Sequence, residues 1–433
     1  LGRCGGTVSL ASGATQSGFG RTGTVNWDTA SIKTTGFTAV SGNGYFCDTA
    51  DSGAFTLTLP TSPSAGDIVG MKDYNGNFAT ANLTIGRGGS KINGADNADV
   101  VIQTAGAAIF LVYVDATQGW VATQDDESVF SGQSFMCASV SGACNTLTTS
   151  GNCKVATFKG PGTFTVNSIG SCAADNLVSY AVVAGGGGSA GDRGGGGGAG
   201  GYREVVSPSS PYTGSPTEGY PTPGNRITVT ATGYPITVGG GGATDNSPPF
   251  TDGAQGATST FSTIDSAGGG AGHRNTSPGG DGGSGGGAGS ISPHTPRSGG
   301  SGNTPSTTPA QGQDGGDSGN TPPAYTSGGG GGATVAGGNG DIGGDTGGTG
   351  GAGAPTSIPG SPTAYAGGGG GGSDNCGGAG GTGGGGNGGS PPVAGQAGGD
   401  NTGGGAGGTS GGGSGVASGN GGSGIVIIRY KFQ

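Results

Sequence analysis

Residues that could carry out catalysis are few in this chain. Its two histidines, His273 and His294, both lie in loops rich in Pro and Gly, where no neighbouring pattern would orient an imidazole for a Ser-His-Asp arrangement. Cleavage of a glycosidic bond requires a pair of carboxylates, but Asp96, Asp99 and Asp115 are scattered among segments typical of β-turns. The sequence therefore predicts a protein that is not an enzyme.

The seven cysteines favour neither metal binding nor a cofactor. Four of them lie in one region, at spacings of 7, 9 and 19 residues, which lack the close pairs of a zinc site. With only two histidines beside them, we predict no metal and no cofactor. The four cysteines are Cys137, Cys144, Cys153 and Cys172. They either form one or two disulfides, as in proteins that work outside a cell, or remain buried free thiols.

Side chains that could anchor a macromolecular partner are sparse in the second half of the chain. Tyr and Arg are among the residue types that most often dominate binding energy at interfaces. The large or charged residues of the loops are therefore the candidates for contacting a partner. They are Phe250, His273, Arg274, His294, Arg297, Tyr325 and Tyr365.

Runs of glycine separate these loops. Only 26 of the 115 glycines lie in residues 1–184, and residues 267–424 contain no Leu, Phe, Met or Trp. Such a stretch cannot fold by burying large apolar side chains. Extended rods with three residues per turn, of the polyglycine II type, could fold it by bonding laterally through their backbones, with glycine at interior positions. We predict a glycine-rich domain over 185–424, with a rod bundle mainly over 266–424; the alternative is a flexible Gly/Ser linker.

Patterns of short strands precede and follow the glycine-rich block. Residues 25–130 predict a β-sandwich or jelly-roll-like module, and residues 1–24 a linker or fibre segment. Residues 131–265 predict a small β platform closed by 424–433, because the apolar segments 177–184 and 424–430 flank the block and should pair in one sheet. No segment has a capped helical period, so the predicted fold class is all-β with essentially no α-helix.

Charge and hydropathy exclude two classes of partner. The formal net charge is −10, and charged residues make up 9% of the chain. Nucleic-acid binding requires clustered Lys and Arg, so we predict no nucleic-acid partner. No apolar run approaches 18 residues, so we predict no insertion into a membrane.

Short motifs recur in both halves of the chain. Those in the N-terminal half are 24–29, 44–49, 58–60, 66–69, 111–115 and 119–120, and those in the C-terminal half are 182–184 with 185–201, Tyr202-Arg203, and 424–430. The N-terminal motifs resemble modules in structural proteins of marine phages, cyanophages especially, and the C-terminal motifs resemble the glycine-rich domain of phage fibres and adhesins.

This resemblance implies a virion fibre protein that attaches a phage to its host. It implies that rods pack as a bundle and that loops at its tip contact the host surface, either a polysaccharide or an outer-membrane protein. It also implies a homotrimer and contacts with other virion proteins at the N-terminal end. Two alternatives remain open: a capsid-decorating or filament-forming protein without a receptor, and a fibre-borne polysaccharide depolymerase.

Overall fold

The computed structural model divides the chain into two compact units, residues 1–134 and 135–433. It describes residues 25–50, 53–94, 99–124, 135–170, 172–244, 251–274, 277–290, 297–319, 325–343, 345–409 and 417–433. The predicted segment 1–24 lies outside these residues. Strands dominate both units, and the only helical turns in the described residues are two 3₁₀ turns, Ala173–Asn176 and Pro223–Asn225. The predicted all-β fold class is confirmed.

The first unit consists of two facing sheets. One has the strand order β1-β3-β5-β8-β9 and the other β2-β4-β6-β7. Buried side chains of both sheets, such as Met71, Leu111 and Leu57, share one core. The strands are β1 (Asn26–Lys33), β2 (Phe37–Thr38), β3 (Asn43–Cys47), β4 (Phe55–Thr58), β5 (Ile68–Asp73), β6 (Leu83–Gly86), β7 (Val100–Ile102), β8 (Ala108–Asp115) and β9 (Gly119–Gln124).

Strand connectivity in this unit departs from a jelly roll. The chain alternates between the two sheets, so β1, β3 and β5 run parallel in one, and β2, β4 and β6 run parallel in the other. A jelly roll instead consists of antiparallel strands. Antiparallel pairing begins with β7 and with β8, and β8 pairs with β9 so that Tyr113 faces Trp120.

The second unit begins with a β-sandwich, which we call the platform. One sheet has the order β10-β13-β17-β18-β19; the other, which we call the base sheet, has the order β11-β12-β22-β14-β15. In addition, β16 pairs with β14, and β20 and β21 form a separate hairpin. The strands of the second unit are β10 (Cys137–Val140), β11 (Thr146–Ser150), β12 (Cys153–Phe158), β13 (Gly162–Ser168), β14 (Leu177–Val183), β15 (Tyr202–Val205), β16 (Ile227–Thr228), β17 (Gly233–Thr237), β18 (Ser259–Phe261), β19 (Ile264–Ser266), β20 (Ala354–Thr356), β21 (Thr363–Tyr365) and β22 (Ile425–Lys431).

The base sheet is buried on both of its faces. β14 and β22, the apolar strands that flank the glycine-rich block, pair antiparallel at its centre. Val182 and Ile428 on one face pack against the other platform sheet. Ile427 on the opposite face packs with Ala199 and Ala333 of the glycine-rich block. The block therefore covers the outer face of the base sheet.

The glycine-rich block forms a bundle of extended rods. At its centre is the rod 194–201, whose residues are all buried. Its N–H groups donate to three different segments in turn, so that every third residue donates to the same segment. This three-residue repeat is that of a polyproline II-type helix. Residues 195, 198 and 201 donate to segment 267–273, residues 196 and 199 to 328–331, and residues 197 and 200 to 403–406, at N–O distances of 2.7–3.1 Å.

Three further segments donate to the carbonyl groups of this central rod. Gly187 donates to Gly198, Gly287 to Gly196, and Gly369 to Gly197, at N–O distances of 2.7–2.9 Å. Among the described residues, the central rod thus has six neighbours, as in a hexagonal lattice. Backbone groups satisfied by neighbouring rods take the place of an apolar core in this region.

Close approach explains most of the interior glycines. A Cβ at Gly196 would lie 2.1 Å from the carbonyl oxygen of Gly369, and one at Gly197 would lie 2.1 Å from that of Gly187. The expectation of glycine at every interior position is nevertheless too strict, because Ala199, Ala288 and Ala406 are fully buried in rods. At Ala199 the methyl group is accommodated because it packs in the apolar cluster on the base sheet.

Candidate functional site

Turns between rods lie at two opposite ends of the bundle. Rods that leave the base sheet, such as the one that follows β14, return to it after a turn at the far end, which we call the distal end. Turns near the base sheet form the platform end. Rod packing aligns the distal turns: Gly289 lies beside both Arg193 and His273, and Ser327 donates its hydroxyl to the Arg193 carbonyl at 3.1 Å.

The turn around Arg193 contacts two other turns of the distal end. The backbone of Arg193 has φ of 51°, in the left-handed region that few residues other than glycine adopt. Its guanidinium carbon lies 3.8 Å from the ring centroid of Tyr325, a cation–π geometry. The Tyr325 carbonyl accepts the N–H of Asp374 at 3.4 Å. Three turns distant in sequence therefore meet at this stack.

The carboxyl group of Asp374, beside this stack, has a shifted pKa. Partial burial raises its pKa above the usual value for aspartate, and the nearby Arg193 charge offsets part of this effect. A carboxyl group with a raised pKa and a stacked guanidinium are groups that can bond hydroxyls or charged groups of a ligand.

A second cluster of charges adjoins the first. The Arg274 guanidinium bonds the Asp192 carboxylate at 2.7 Å, and its backbone N–H donates to Asp252 Oδ1 at 2.7 Å. His273 Nδ1 lies 4.0 Å from Asp252 Oδ2. All four side chains are partly exposed, so the cluster forms a polar surface at the distal end.

The structure separates the seven predicted contact residues. His273, Arg274 and Tyr325 all lie at the distal end, in the two clusters described above. Arg297 lies at the end of an outer rod, where its N–H donates to the Ser318 hydroxyl at 3.0 Å. Phe250 and His294 lie outside the described residues.

Tyr365 lies instead at the platform end. It is 5% exposed, and it belongs to the β20–β21 hairpin, where it pairs with Ala354. Burial raises the pKa of its hydroxyl. It joins the apolar cluster that lies on the base sheet. Tyr365 therefore has no surface to offer a receptor, and its place among the predicted contact residues is corrected.

A buried carboxylate fixes that hairpin to the platform. Glu204 of β15 is 2% exposed; it accepts the Thr356 hydroxyl and, at 2.8 Å, the N–H of Ser215. Ser357 also donates its N–H to the Thr213 carbonyl at 2.9 Å. Burial, together with the Glu204 charge, raises the pKa of Tyr202 and Tyr212. The segment 355–365 is thus held against the platform and is not a distal loop.

Sequence reasoning missed four residues of the distal surface: Asp192, Arg193, Asp252 and Asp374. A signal was present for three of these four residues, because Asp192-Arg193 and Asp374-Asn375 are short polar interruptions between two glycine runs. A polar interruption between two glycine runs indicates a turn between adjacent rods. If successive rods run in opposite directions, every second turn lies at the same end of the bundle.

The six described cysteines are free thiols. All four clustered cysteines are among them, so they form no disulfide in this structure; Cys137 and Cys144 are exposed and Cys153 is buried. In the first unit, burial raises the pKa of the Cys47 thiol to about 12, to which the Asp73 charge contributes. Such a thiol is an inert core group at neutral pH.

Neither a metal site nor a membrane-spanning helix is found among the described residues. They contain no group of three or more His, Cys, Asp or Glu side chains placed to hold a metal ion. Across the same residues, no helix has the length and apolar character needed to cross a membrane.

The fold defines an all-β protein whose second unit combines a platform with a rod bundle. The family model of the glycine-rich domain matches residues 157–431, well over half of the chain. The chain therefore belongs to the glycine-rich domain family. This match begins in β12 and ends at the last residue of β22, so it spans the base sheet as well as the rods. No curated protein matches the chain.

Proposed function

We propose that this chain is a virion fibre protein that attaches a phage particle to its host through the distal end of the bundle. The observation that carries the proposal is the contrast between the two parts of the bundle. The rods are locked by backbone bonds and offer few side chains, whereas the distal turns place Arg193, Tyr325, Asp374 and Arg274 on one surface. Binding surfaces are commonly built from turns on a rigid scaffold.

The chemistry of this surface fits a hydroxyl-rich or charged receptor. A host polysaccharide presents hydroxyl groups that carboxylates and guanidinium groups bond, and its ring faces pack against aromatic side chains such as Tyr325. An outer-membrane protein with exposed charges is the second kind of receptor that fits. In the proposal, the first unit joins the chain to other virion proteins, and three copies assemble as a homotrimer.

The test is binding of the labelled, purified chain to host cells, measured by flow cytometry. The distal variant combines Arg193→Ala with Tyr325→Ala. Truncation of such a pair at the centre of an interface costs about 2 kcal/mol or more, so we expect the affinity to fall by about thirtyfold. Ala has the same Cβ as Arg, so the backbone conformation at position 193 carries no added strain.

The matched control removes a stack of the same kind from the platform. There the Arg226 guanidinium lies 4.2 Å from the Tyr220 ring centroid. We expect Arg226→Ala with Tyr220→Ala to bind host cells within twofold of the wild type. Equal binding by the wild type and the distal variant would contradict the proposal and favour a structural role without a receptor. Release of reducing sugar from host polysaccharide would instead support a depolymerase.

A further inference from the structure

The outer rod 297–302 has N–H groups of two kinds. Some bond backbone carbonyls of an adjacent rod, since Gly300 donates to Gly286 at 2.8 Å and the next residue after the rod, Asn303, donates to Gly283 at 2.9 Å. In a lattice with a three-residue repeat, the remaining N–H groups would point to rods on other sides. No backbone carbonyl of a described rod accepts them.

Carboxylates take the place of those missing rods. Asp317 accepts the N–H of Gly299 at 2.9 Å, and Asp314 accepts that of Gly302 at 2.7 Å. Asp281 accepts the N–H of Ser301 at 2.6 Å from the other flank. All three aspartates are exposed. Asp314 and Asp317 are three residues apart, as are the two glycines they bond, so the carboxylates follow the repeat of the rod.

The same arrangement recurs at three other places on the surface of the bundle. There the acceptor is the side-chain amide oxygen of an exposed asparagine on a neighbouring rod. Asn339 accepts the N–H of Asp317 at 2.8 Å, Asn387 that of Gly380 at 2.8 Å, and Asn420 that of Thr244 at 2.9 Å. Six acceptors with short side chains therefore bond outer N–H groups.

We propose that these Asp and Asn side chains are edge caps that stop the bundle from adding a glycine rod of a second copy of this chain. Each interior N–H of the central rod is accepted by the carbonyl of a neighbouring rod. A row of uncapped N–H groups on an outer rod would offer the same bonds to another molecule, as an unpaired strand does at the edge of a β-sheet. The side-chain oxygens occupy those positions first.

The test uses two triple variants at Asp281, Asp314 and Asp317, compared with the wild type by sedimentation velocity over a range of concentrations. The alanine variant removes the acceptors and the charges, whereas the asparagine variant removes the charges and keeps an acceptor oxygen. We expect the weight-average mass of the alanine variant to rise with concentration to at least twice that of the wild type. The asparagine variant and the wild type should keep one mass at all concentrations.

Two outcomes would overturn the proposal: an alanine variant with the wild-type mass throughout, or an asparagine variant that associates equally. The second would assign the effect to charge repulsion. Sedimentation of the wild type at high salt separates the same two explanations. Salt screens repulsion between surface charges, so the wild type should associate at high salt if repulsion keeps it apart. If the caps keep it apart, its mass should stay the same. Slow amide exchange in the central rod checks that each variant is folded. If a triple variant is not folded, the single variants Asp317→Ala and Asp317→Asn are compared in the same way.

Discussion

Gly197→Ala should strongly destabilise the bundle, because an added methyl group at position 197 has no room between the neighbouring rods. The new Cβ would lie 2.1 Å from the Gly187 carbonyl oxygen and 2.9 Å from the backbone nitrogen of Ala406. Both are backbone atoms of rods that are themselves held by other rods, so neither can move without breaking further hydrogen bonds. We expect a destabilisation of about 3 kcal/mol or more.

Gly240→Ala is the matched control. Gly240 lies in an outer rod, is exposed, and has no atom within 4 Å of an added Cβ. The substitution should leave stability within about 0.5 kcal/mol or raise it slightly by restricting the unfolded chain. Thermal unfolding followed by near-ultraviolet circular dichroism measures both variants through the platform tyrosines.

Tryptophan fluorescence supplies an internal check on this experiment. Both tryptophans, Trp27 and Trp120, lie in the first unit, so their emission should be the same in the wild type and both variants. Equal melting temperatures for Gly197→Ala and Gly240→Ala would contradict the close packing of the rods.

The second large effect is expected from a chain that ends at Gly424. This truncation removes β22, which pairs with β12 on one side and β14 on the other. Val426, Ile427 and Ile428 are fully buried, and each contributes about 1.5–3 kcal/mol by burial. That sum approaches the whole stability of a typical domain, about 5–15 kcal/mol. We expect neither platform nor bundle to fold.

A chain that lacks only the exposed Gln433 controls for shortening the C-terminus. It should resist limited proteolysis as the wild type does, whereas the chain that ends at Gly424 should be digested throughout residues 135–424. A protease-resistant bundle without β22 would show that the rods fold independently of the base sheet.

The strands could be predicted from sequence because apolar residues mark them. Val182, Val183 and Ile425–Ile428 form uninterrupted apolar runs, and they lie at the centre of the base sheet. The three-residue repeat of the rods follows in the same way from the glycine runs, since rods made mostly of glycine can pack closely side by side. Composition therefore indicates the kinds of element present.

Neighbour relations between rods could not be predicted, because one glycine run is chemically the same as another. The central rod bonds segments as far apart as 184–187 and 403–406, and nothing in their residue types specifies these pairs. The end of the bundle at which a loop lies depends on the path of every rod before it. For this reason the sequence predicts Tyr365 as a contact residue, although it lies at the platform end.

Amide hydrogen exchange in the central rod tests most directly the claim that rods cohere through their backbones. If lateral N–H to carbonyl bonds hold the bundle, residues 195–201 should exchange about as slowly as β14 and β22, because opening the rod requires unfolding of the unit. Exchange of residues 195–201 at the rate of an unstructured peptide, while β14 remains protected, would contradict the claim.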